Sequence, residues 1–425
     1  MHVVQLTDFY RPVIGGLERH VETLSHELVS LGHSVTVVTF QVGDQPAEET
    51  TGGVRVIRIR GWSTHLTAFH ADAMRPFHPT IPDPGAMAAL RRVIQRERPD
   101  VVHSHSWLAY SYFPQYRAQR GPGHVVALHD YGLACPKKTL QYSGRRAAAD
   151  DAGQSCSGPR LAKCLGCAPE QYGLLKGAVV TAGLRASRVL HGRADRYIAV
   201  SDAVARNSRA VLPGGSRVAV IPTMVPNGLS ELAGDTPRPE FLPAEDGYLM
   251  FAGAFGRHKG VDVLLEARRR MRNQPPLVLI GTSQGEAPRV NDPGVVVVRD
   301  IEAAQVMAAW MRASVAAVPS VWSEPLGRVA IEAMLVGRPV VASDVGGLRG
   351  IVTHGVTGLL VPPGDPAALA AALDSLLDDP QKRRQFGETA RSHAQRFEAA
   401  VVVPQIVKVF EDAILGRADR QRDRR

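Results

Sequence analysis

The sequence predicts an α/β protein of two successive domains, each an open parallel sheet covered by helices. Three observations carry this. The chain has 425 residues, beyond the roughly 250–300 at which a single core stops growing. Short β-branched runs alternate with longer helix-like runs along it, the pattern of parallel strands joined by crossover helices. One stretch rich in Pro, Gly and polar residues, PTMVPNGLSELAGDTPRPEFLPAEDG at 222–247, interrupts the alternation and reads as a linker.

In the first half, HVVQLTD is strand-like and is followed by GLERHVETLSHELVSLGH. There Leu17, Val21, Leu24, Leu28 and Leu31 fall at helical spacing, with Gly32 as a stop. SVTVVTF, VRVIRI, DVVHSH, HVVALHD, RYIAVS and RVAVIPT follow as strands, several apolar on both faces. After the linker come six more: YLMFAGAF, PLVLIGT, VVVVRD, SVAAVPS, RPVVASD and GLLVPP. The expected domains are 1–225 and 226–398, with 399–425 holding a last helix and a basic tail. In open sheets of this kind ligands sit beyond the carboxyl ends of the strands, and a cleft between two such domains favours a small-molecule site.

Composition is ordinary for a globular chain, 44% hydrophobic and 21% charged. The net charge of +9 suits an anionic ligand, an anionic membrane surface or nucleic acid, and equally an Arg-rich genome. No apolar run is long enough to span a bilayer. MHVVQLTDFY lacks the basic and apolar regions of a signal peptide. The expectation is a cytoplasmic protein with reduced thiols.

Three stretches carry candidate chemistry. In RPVIGGLERH, Gly15 and Gly16 follow the first strand and open the first helix. Paired glycines let a backbone approach a ligand, and helix N-termini favour anions; a tight strand-to-helix turn explains the same residues. In FAGAFGRHKGVDVLLEA, Arg257 and Lys259 occupy a glycine-rich loop before a helix. They could bind phosphate oxygens or form a solvated basic turn, and the residues around Lys259 do not make a P-loop. In PSVWSEPLGRVAIEAM, Glu324 precedes a helix start and Glu332 lies more than a turn inside an apolar helix. A carboxylate there is costly unless paired or meeting polar ligand atoms; dipole complementation by Glu324 and a surface position for Glu332 is the plainer account.

SEPLGRVAIEAMLVGRPVVASDVGGLRGIVTHGVTGLLVPPGDPAALAAAL closely resembles the donor-binding segment of family 4 retaining glycosyltransferases, including the E-x7-E spacing from Glu324 to Glu332. GGLERHVETLSHELVSLGHSVTVVT, PDVVHSHSW and HKGVDVLLEA resemble further segments of that family in the right order. The resemblance implies the GT-B architecture, two Rossmann-like domains with parallel sheets facing across a cleft, and a last helix, VVVPQIVKVFEDAIL, that returns to the first domain. It implies a nucleotide-diphosphate sugar as donor and a retaining hexosyl transfer by front-face attack, with no catalytic metal or other catalytic cofactor. Glu324 would lie near the transferred sugar, and Glu332 would hold the ribose. The N–H groups of Leu326, Gly327, Arg328 and Val329 would meet the sugar and diphosphate. Gly15, Gly16 and Lys259 would serve the diphosphate, and His129 in ALHDYGLACP matches an acceptor-side histidine. His103 and His105 read as structural.

One departure stands out. The family usually carries an arginine right after the glycine ending the first strand of the second domain; here that position is Ala254. Arg257 in the same loop could supply the missing cation or point to solvent. The acceptor stays open among a sugar, a lipid-linked molecule and a small molecule. Peripheral contact with the inner face of the membrane is compatible with the charge, and nucleic acid is not an expected partner. Two alternatives remain: a GT-B nucleotide-sugar epimerase or phosphorylase, and a non-catalytic binding protein on the same scaffold.

Cys135, Cys156, Cys164 and Cys167 fall in one window, and the chain has no other cysteine. CLGC has the C-x2-C spacing of a zinc knuckle, and the polar residues before it could not order themselves by packing. A structural zinc in a Cys-rich insertion at 135–167 is the expectation, with unlinked thiols or redox-labile disulfides as the alternative.

Overall fold

The computed structural model describes residues 1–13, 15–66, 74–116, 121–142, 156, 158–282 and 292–422. The chain forms two units, Met1–Met224 with Ala399–Arg425, and Val225–Glu398.

The first unit is built on β1 (His2–Leu6), β2 (Ser34–Phe40), β3 (Glu48–Thr51), β4 (Val54–Ile59), β5 (Val101–Ser104), β6 (Gly123–Leu128), β7 (Arg196–Ala199) and β8 (Val218–Val220). The sheet order is β3-β4-β2-β1-β5-β6-β7-β8. All neighbours are parallel except β3, which pairs antiparallel with β4 at the edge. Along β1, Val3 packs into one core with Val35, Val37 and Val101, while Val4 and Leu6 pack into another with Val38, Phe40 and Val102. Both faces are therefore dry, and the strands read as continuous apolar runs rather than alternating ones.

The helix Gly16–Ser30 buries Val21, Leu24 and Leu28 against the first of these cores. Leu31, read as the next helical position, lies beyond the helix end and is exposed, and Gly32 then adopts a positive φ. The long helix Ala399–Arg422 also belongs to this unit. It places Val402, Val403, Ile406, Phe410 and Ala413 in the same core, each large side chain worth about 1.5–3 kcal/mol of burial. Near its end the buried Arg417 pairs with Asp195 at 2.9 Å, whose carboxylate also accepts from the His124 N–H at 2.9 Å.

The second unit has β9 (Leu249–Ala254), β10 (Leu277–Thr282), β11 (Val295–Arg299), β12 (Val315–Val318), β13 (Val340–Ser343) and β14 (Gly358–Val361), all parallel in the order β11-β10-β9-β12-β13-β14. Leu249, Phe251, Leu277, Leu279 and Val341 meet the helices Val261–Arg270 and Pro366–Leu377 on one face. The intervening Met250, Val278 and Ala316 are equally buried on the other. The chain enters and leaves this unit side by side, with the Val225 N–H donating to Phe397 O at 2.9 Å.

Two elements differ from expectation. EETT forms β3 although it carries no apolar pattern, because an edge strand needs only backbone pairing. The stretch read as a linker contains the helix Leu229–Asp235, which buries Leu229 and Ala233. In both sheets the strand order reverses at one place, between β1 and β5 and between β9 and β12. Such switch points open a crevice for ligands at the carboxyl ends of the strands.

Candidate active site

The second unit concentrates charge at its switch point. The loop after β9 ends in the turn Arg257–Lys259, and the loop after β12 carries Ser320, Trp322 and Glu324. The two loops are tied together. The Val321 N–H donates to His258 O at 2.9 Å. Gly260 has φ +72°, and a Cβ there would lie 1.9 Å from Pro319 O, so only glycine allows this approach.

The tie brings Lys259 Nζ to 3.0 and 2.8 Å from the two carboxylate oxygens of Glu324. Ser320 Oγ and Trp322 Nε1 donate to the second oxygen at 3.0 and 2.8 Å. Glu324 is buried. Burial alone would raise its pKa, but the Lys259 charge and these bonds outweigh it and hold the carboxyl below its ordinary value. The Lys259 ammonium also lies over the Trp322 ring, 5.1 Å from its centre. His258 packs edge-on to that ring at 5.0 Å. Burial and the neighbouring Lys259 push the His258 pKa down to about 4.

The helix Arg328–Leu335 begins directly after Glu324, Pro325, Leu326 and Gly327. Gly327 has φ +100°, and a Cβ there would meet the Leu348 side chain at 2.4 Å. Gly346 and Gly347 lie against this segment, a Cβ on either meeting the backbone at 2.2 Å from Glu324 O and 2.4 Å from Pro325 O. The first N–H groups, including those of Arg328 and Val329, have no carbonyl of their own helix to bond. Glu332 accepts from Arg328 Nε at 3.1 Å, one turn apart. Arg328 Nη1 is buried and meets no hydrogen-bond acceptor among the described residues, an unusual state for a charged donor. Arg257 is exposed, with no ion pair among the described residues, and Ala254 is partly buried nearby.

The first unit holds a different arrangement at its own switch point. The loops after β1 and β5 are joined by Asp8, which accepts from Ser106 Oγ at 2.8 Å and the Leu108 N–H at 2.7 Å. Gly15 is extended, and a Cβ on it would meet only the flexible end of Glu18; a Cβ on Gly16 would meet nothing within 4 Å. Packing within the protein therefore does not require glycine at position 16. His129 follows β6, and its Nε2 lies 3.0 Å from His105 Nδ1. His105 Nε2 lies 2.8 Å from Gln5 Oε1, and Gln5 Nε2 donates to Ser25 Oγ at 2.6 Å.

This chain assigns the tautomers. Gln5 presents its oxygen to His105, so His105 carries its proton on Nε2 and accepts on Nδ1; His129 then carries its proton on Nε2 and its lone pair on Nδ1. Burial is the main cause that pushes the His129 pKa down to about 4, and it takes His105 and His103 well below their ordinary value. His105 and His129 line an open recess together with Leu17, Trp107, Asp130 and Lys138.

Sequence reading missed His105 as the residue that fixes the His129 tautomer, and it missed Gln5 altogether. It also missed Glu18, a buried carboxyl in the first turn of the first helix, raised above its ordinary value by burial. The HSH and GGLE patterns were the available signals. His103 stays as read, buried between the His105 and Phe410 rings with no hydrogen bond to either nitrogen among the described residues.

The structure lends the zinc expectation no support. Among the described residues no disulfide joins the four cysteines. Among the described residues, the one group of three metal-capable side chains with donor atoms within 4.8 Å of one another is His20, His105 and His129, and no cysteine joins it. Cys164 and Cys167 lie three residues apart on the helix Leu161–Cys167, not in a knuckle turn. Cys167 Sγ turns to Gln141 O at 3.7 Å and Cys156 Sγ to Gly158 O at 3.5 Å. Burial raises the thiol pKa of Cys135 and Cys164. The intervening 143–155 and 157 lie outside the described residues.

Comparison with known proteins gives this geometry a family. Residues 14–227 match the family model described as Glycosyltransferase Family 4, and residues 235–393 match Glycosyl transferases group 1. The chain is 28% identical to D-inositol 3-phosphate glycosyltransferase 1 of Catenulispora acidiphila, over 76% of this chain and 74% of that protein. Its fold is similar to sucrose-phosphate synthase from Thermosynechococcus elongatus, with TM-score 0.72 and 22% identity over 98% and 99% of the two chains. It is also similar to Anabaena HepE in complex with UDP-glucose, with TM-score 0.64 and 20% identity over 97% and 100%. The protein is a glycosyltransferase of GT-B fold, and the chain belongs to glycosyltransferase family 4.

Proposed function

We propose that this protein is a retaining hexosyltransferase that takes its sugar from a nucleotide-diphosphate sugar and passes it to a hydroxyl of an acceptor. The observation that carries the donor reading is the cation set at the second switch point. Lys259 is held by Glu324, and Arg328 has a buried donor with no protein acceptor among the described residues. A diphosphate beside the start of the helix Arg328–Leu335 would satisfy that donor and the helix N–H groups together. The UDP-glucose bound by HepE is the class of donor this chemistry suits.

In this reading Glu324 positions Lys259 and orders the loop instead of attacking the sugar. Its two oxygens already accept four hydrogen bonds, so its lone pairs are poorly available for bond formation. Retention then follows front-face attack, with the departing phosphate oxygen helping to take the acceptor proton. Lys259, Arg328 and the N–H groups of Leu326, Gly327, Arg328 and Val329 stabilise the charge that develops on the leaving group. Glu332 holds the ribose with the oxygen not engaged by Arg328. Gly16, beside Gly15, leaves room for a phosphate-bearing ligand at the start of its helix, and Arg257 supplies a secondary cation at the second switch point. His129, neutral at pH 7, offers Nδ1 to a sugar hydroxyl.

The inositol phosphate in one relative's name marks small polyols as one class of acceptor to test, beside sugars and lipid-linked molecules. No described helix is long and apolar enough to cross a membrane, and cysteines without a disulfide among the described residues suit a reducing compartment; we place the reaction in the cytoplasm. The test is a panel of nucleotide sugars followed by NMR. Slow hydrolysis of one donor, with the sugar released in the donor's anomeric configuration, supports the reading. Inversion, or consumption of donor only when inorganic phosphate is added, overturns it.

A further inference from the structure

The face of the first unit formed by residues 158–193 has no role in the site above. Its two main helices are Leu161–Cys167 and Leu174–Ala186, the second continuing into the turn Ser187–Leu190. On the longer helix Leu174, Ala178, Ala182 and Ala186 follow at four-residue steps, and Val189 extends the line. This is one helical face. It is uncovered: Leu174 is 78% exposed, Leu175 68% and Val189 83%. Leu161 and Leu165, one turn apart on the neighbouring helix, are also exposed.

The charge around this apolar face has one sign. Residues 158–193 contain Arg160, Lys163, Lys176, Arg185, Arg188 and Arg193 against one acid, Glu170, and Glu170 is already engaged by Lys137. Between the two helices lies an open recess. Its walls include Leu133, Pro136, Leu161 and Leu184, and Arg160, Arg185 and Arg188 also line it. Among the described residues none of these three arginines pairs with a carboxylate.

We propose that this face docks on an anionic lipid bilayer, with Leu174, Leu175 and Val189 entering the interface and Arg160, Arg185 and Arg188 taking a lipid phosphate at the recess. Two features favour a bilayer over a protein partner. The apolar residues form a ridge, and among the described residues 158–193 the charge beside it is positive apart from Glu170. Exposed apolar side chains with flanking Arg and Lys are what an anionic membrane interface accepts. The inference does not rest on the donor-site reading, since none of these residues belongs to it.

The test is flotation of the full-length protein with vesicles. One set is phosphatidylcholine with about a third phosphatidylglycerol; the other is phosphatidylcholine alone. The expected result is binding to the anionic vesicles only, screened by high salt. Leu174→Asp with Leu175→Asp, and separately Arg185→Glu with Arg188→Glu, should each weaken binding by about tenfold or more, because each charge near the surface counts. Donor hydrolysis in solution should be unchanged in both variants, which shows that they fold. Inorganic phosphate at millimolar concentration should not release the protein; release would make the recess a site for soluble anions and overturn the proposal. It is overturned equally by no flotation with anionic vesicles, by flotation that both variants retain, or by a wild-type dimer that Leu174→Asp with Leu175→Asp dissolves.

Discussion

The two switch points solve the same problem, holding polar side chains at the carboxyl ends of buried strands, by opposite means. At the second, Glu324 and Lys259 keep their charges and neutralise each other, with Ser320 and Trp322 satisfying what remains. At the first, His105 and His129 are held neutral by burial, and a line of hydrogen bonds through Gln5 and Ser25 decides where each proton sits. The comparison separates two ways of preparing a reactive site. A paired charge is strong and intolerant of losing its partner. A neutral relay stores its information in proton positions, which conservative substitution can scramble without unfolding anything.

The largest effects should come from the charged side. Glu324→Gln removes the anion opposite Lys259 and should lower turnover by more than about tenfold. It should also cost about 3–5 kcal/mol of stability, the usual result of breaking a buried pair. Lys259→Met combined with Glu324→Gln should recover part of the stability and none of the turnover; denaturant melts and kcat on the three variants measure the coupling. A Glu324→Gln enzyme of wild-type stability and rate would break the contrast.

On the neutral side, His129→Gln should lower kcat by about tenfold, the effect of one misplaced hydrogen bond of about 1.4 kcal/mol to the sugar. Gln5→Leu leaves His105 free to take the other tautomer. It should reduce kcat less than His129→Gln while leaving donor affinity unchanged, and it should alter the pH profile. An unchanged profile would deny the relay.

Acid should distinguish the two regions further. His129 and His124 have folded values pushed down to about 4 against about 6.5 in an unfolded chain. The unfolded state therefore binds their protons first. Stability is full above about pH 6.5 and falls as pH drops towards 4, by up to about 1.4 kcal/mol per pH unit for each group. Glu324, held below its ordinary value, adds its loss only below about pH 4.3. Urea midpoints between pH 7 and 4 in wild type and in His124→Gln test the first part.

Smaller still in its effect on turnover is Glu332→Ala. In the proposed reading it removes one charge-assisted bond to ribose and should cost about 1.5–3 kcal/mol of nucleotide affinity by calorimetry. Arg257→Ala should do least, because its side chain is exposed; a loss equal to that of Glu332→Ala would promote Arg257 to a principal phosphate ligand.

Most strands were legible because their residues are buried on both faces and so form unbroken apolar runs, as in SVTVVTF and VRVIRI. EETT was not, since its side chains face water and its order comes from the backbone of β4. Glu324, Lys259 and Glu332 were visible as residues in motifs. Their partners were not, because Lys259 and Glu324 meet across 65 positions and Gln5 and His105 across 100, and no local pattern reports such pairings. Glu332 shows the same limit at short range. Arg328 is one turn away in plain view, yet only the side-chain geometry says that the two are bonded. The C-x2-C of CLGC lies on a helix, a placement its spacing alone does not specify.

The central claim is that the Lys259–Glu324 pair serves transfer from a nucleotide sugar with retention. The most direct measurement is proton NMR of the first sugar released, before mutarotation, by wild type and by Glu324→Gln. The account predicts release in the donor's anomeric configuration by wild type, and at least about tenfold slower release by the variant while it still binds nucleoside diphosphate. Release with inverted configuration, or an equal rate from Glu324→Gln, would contradict it.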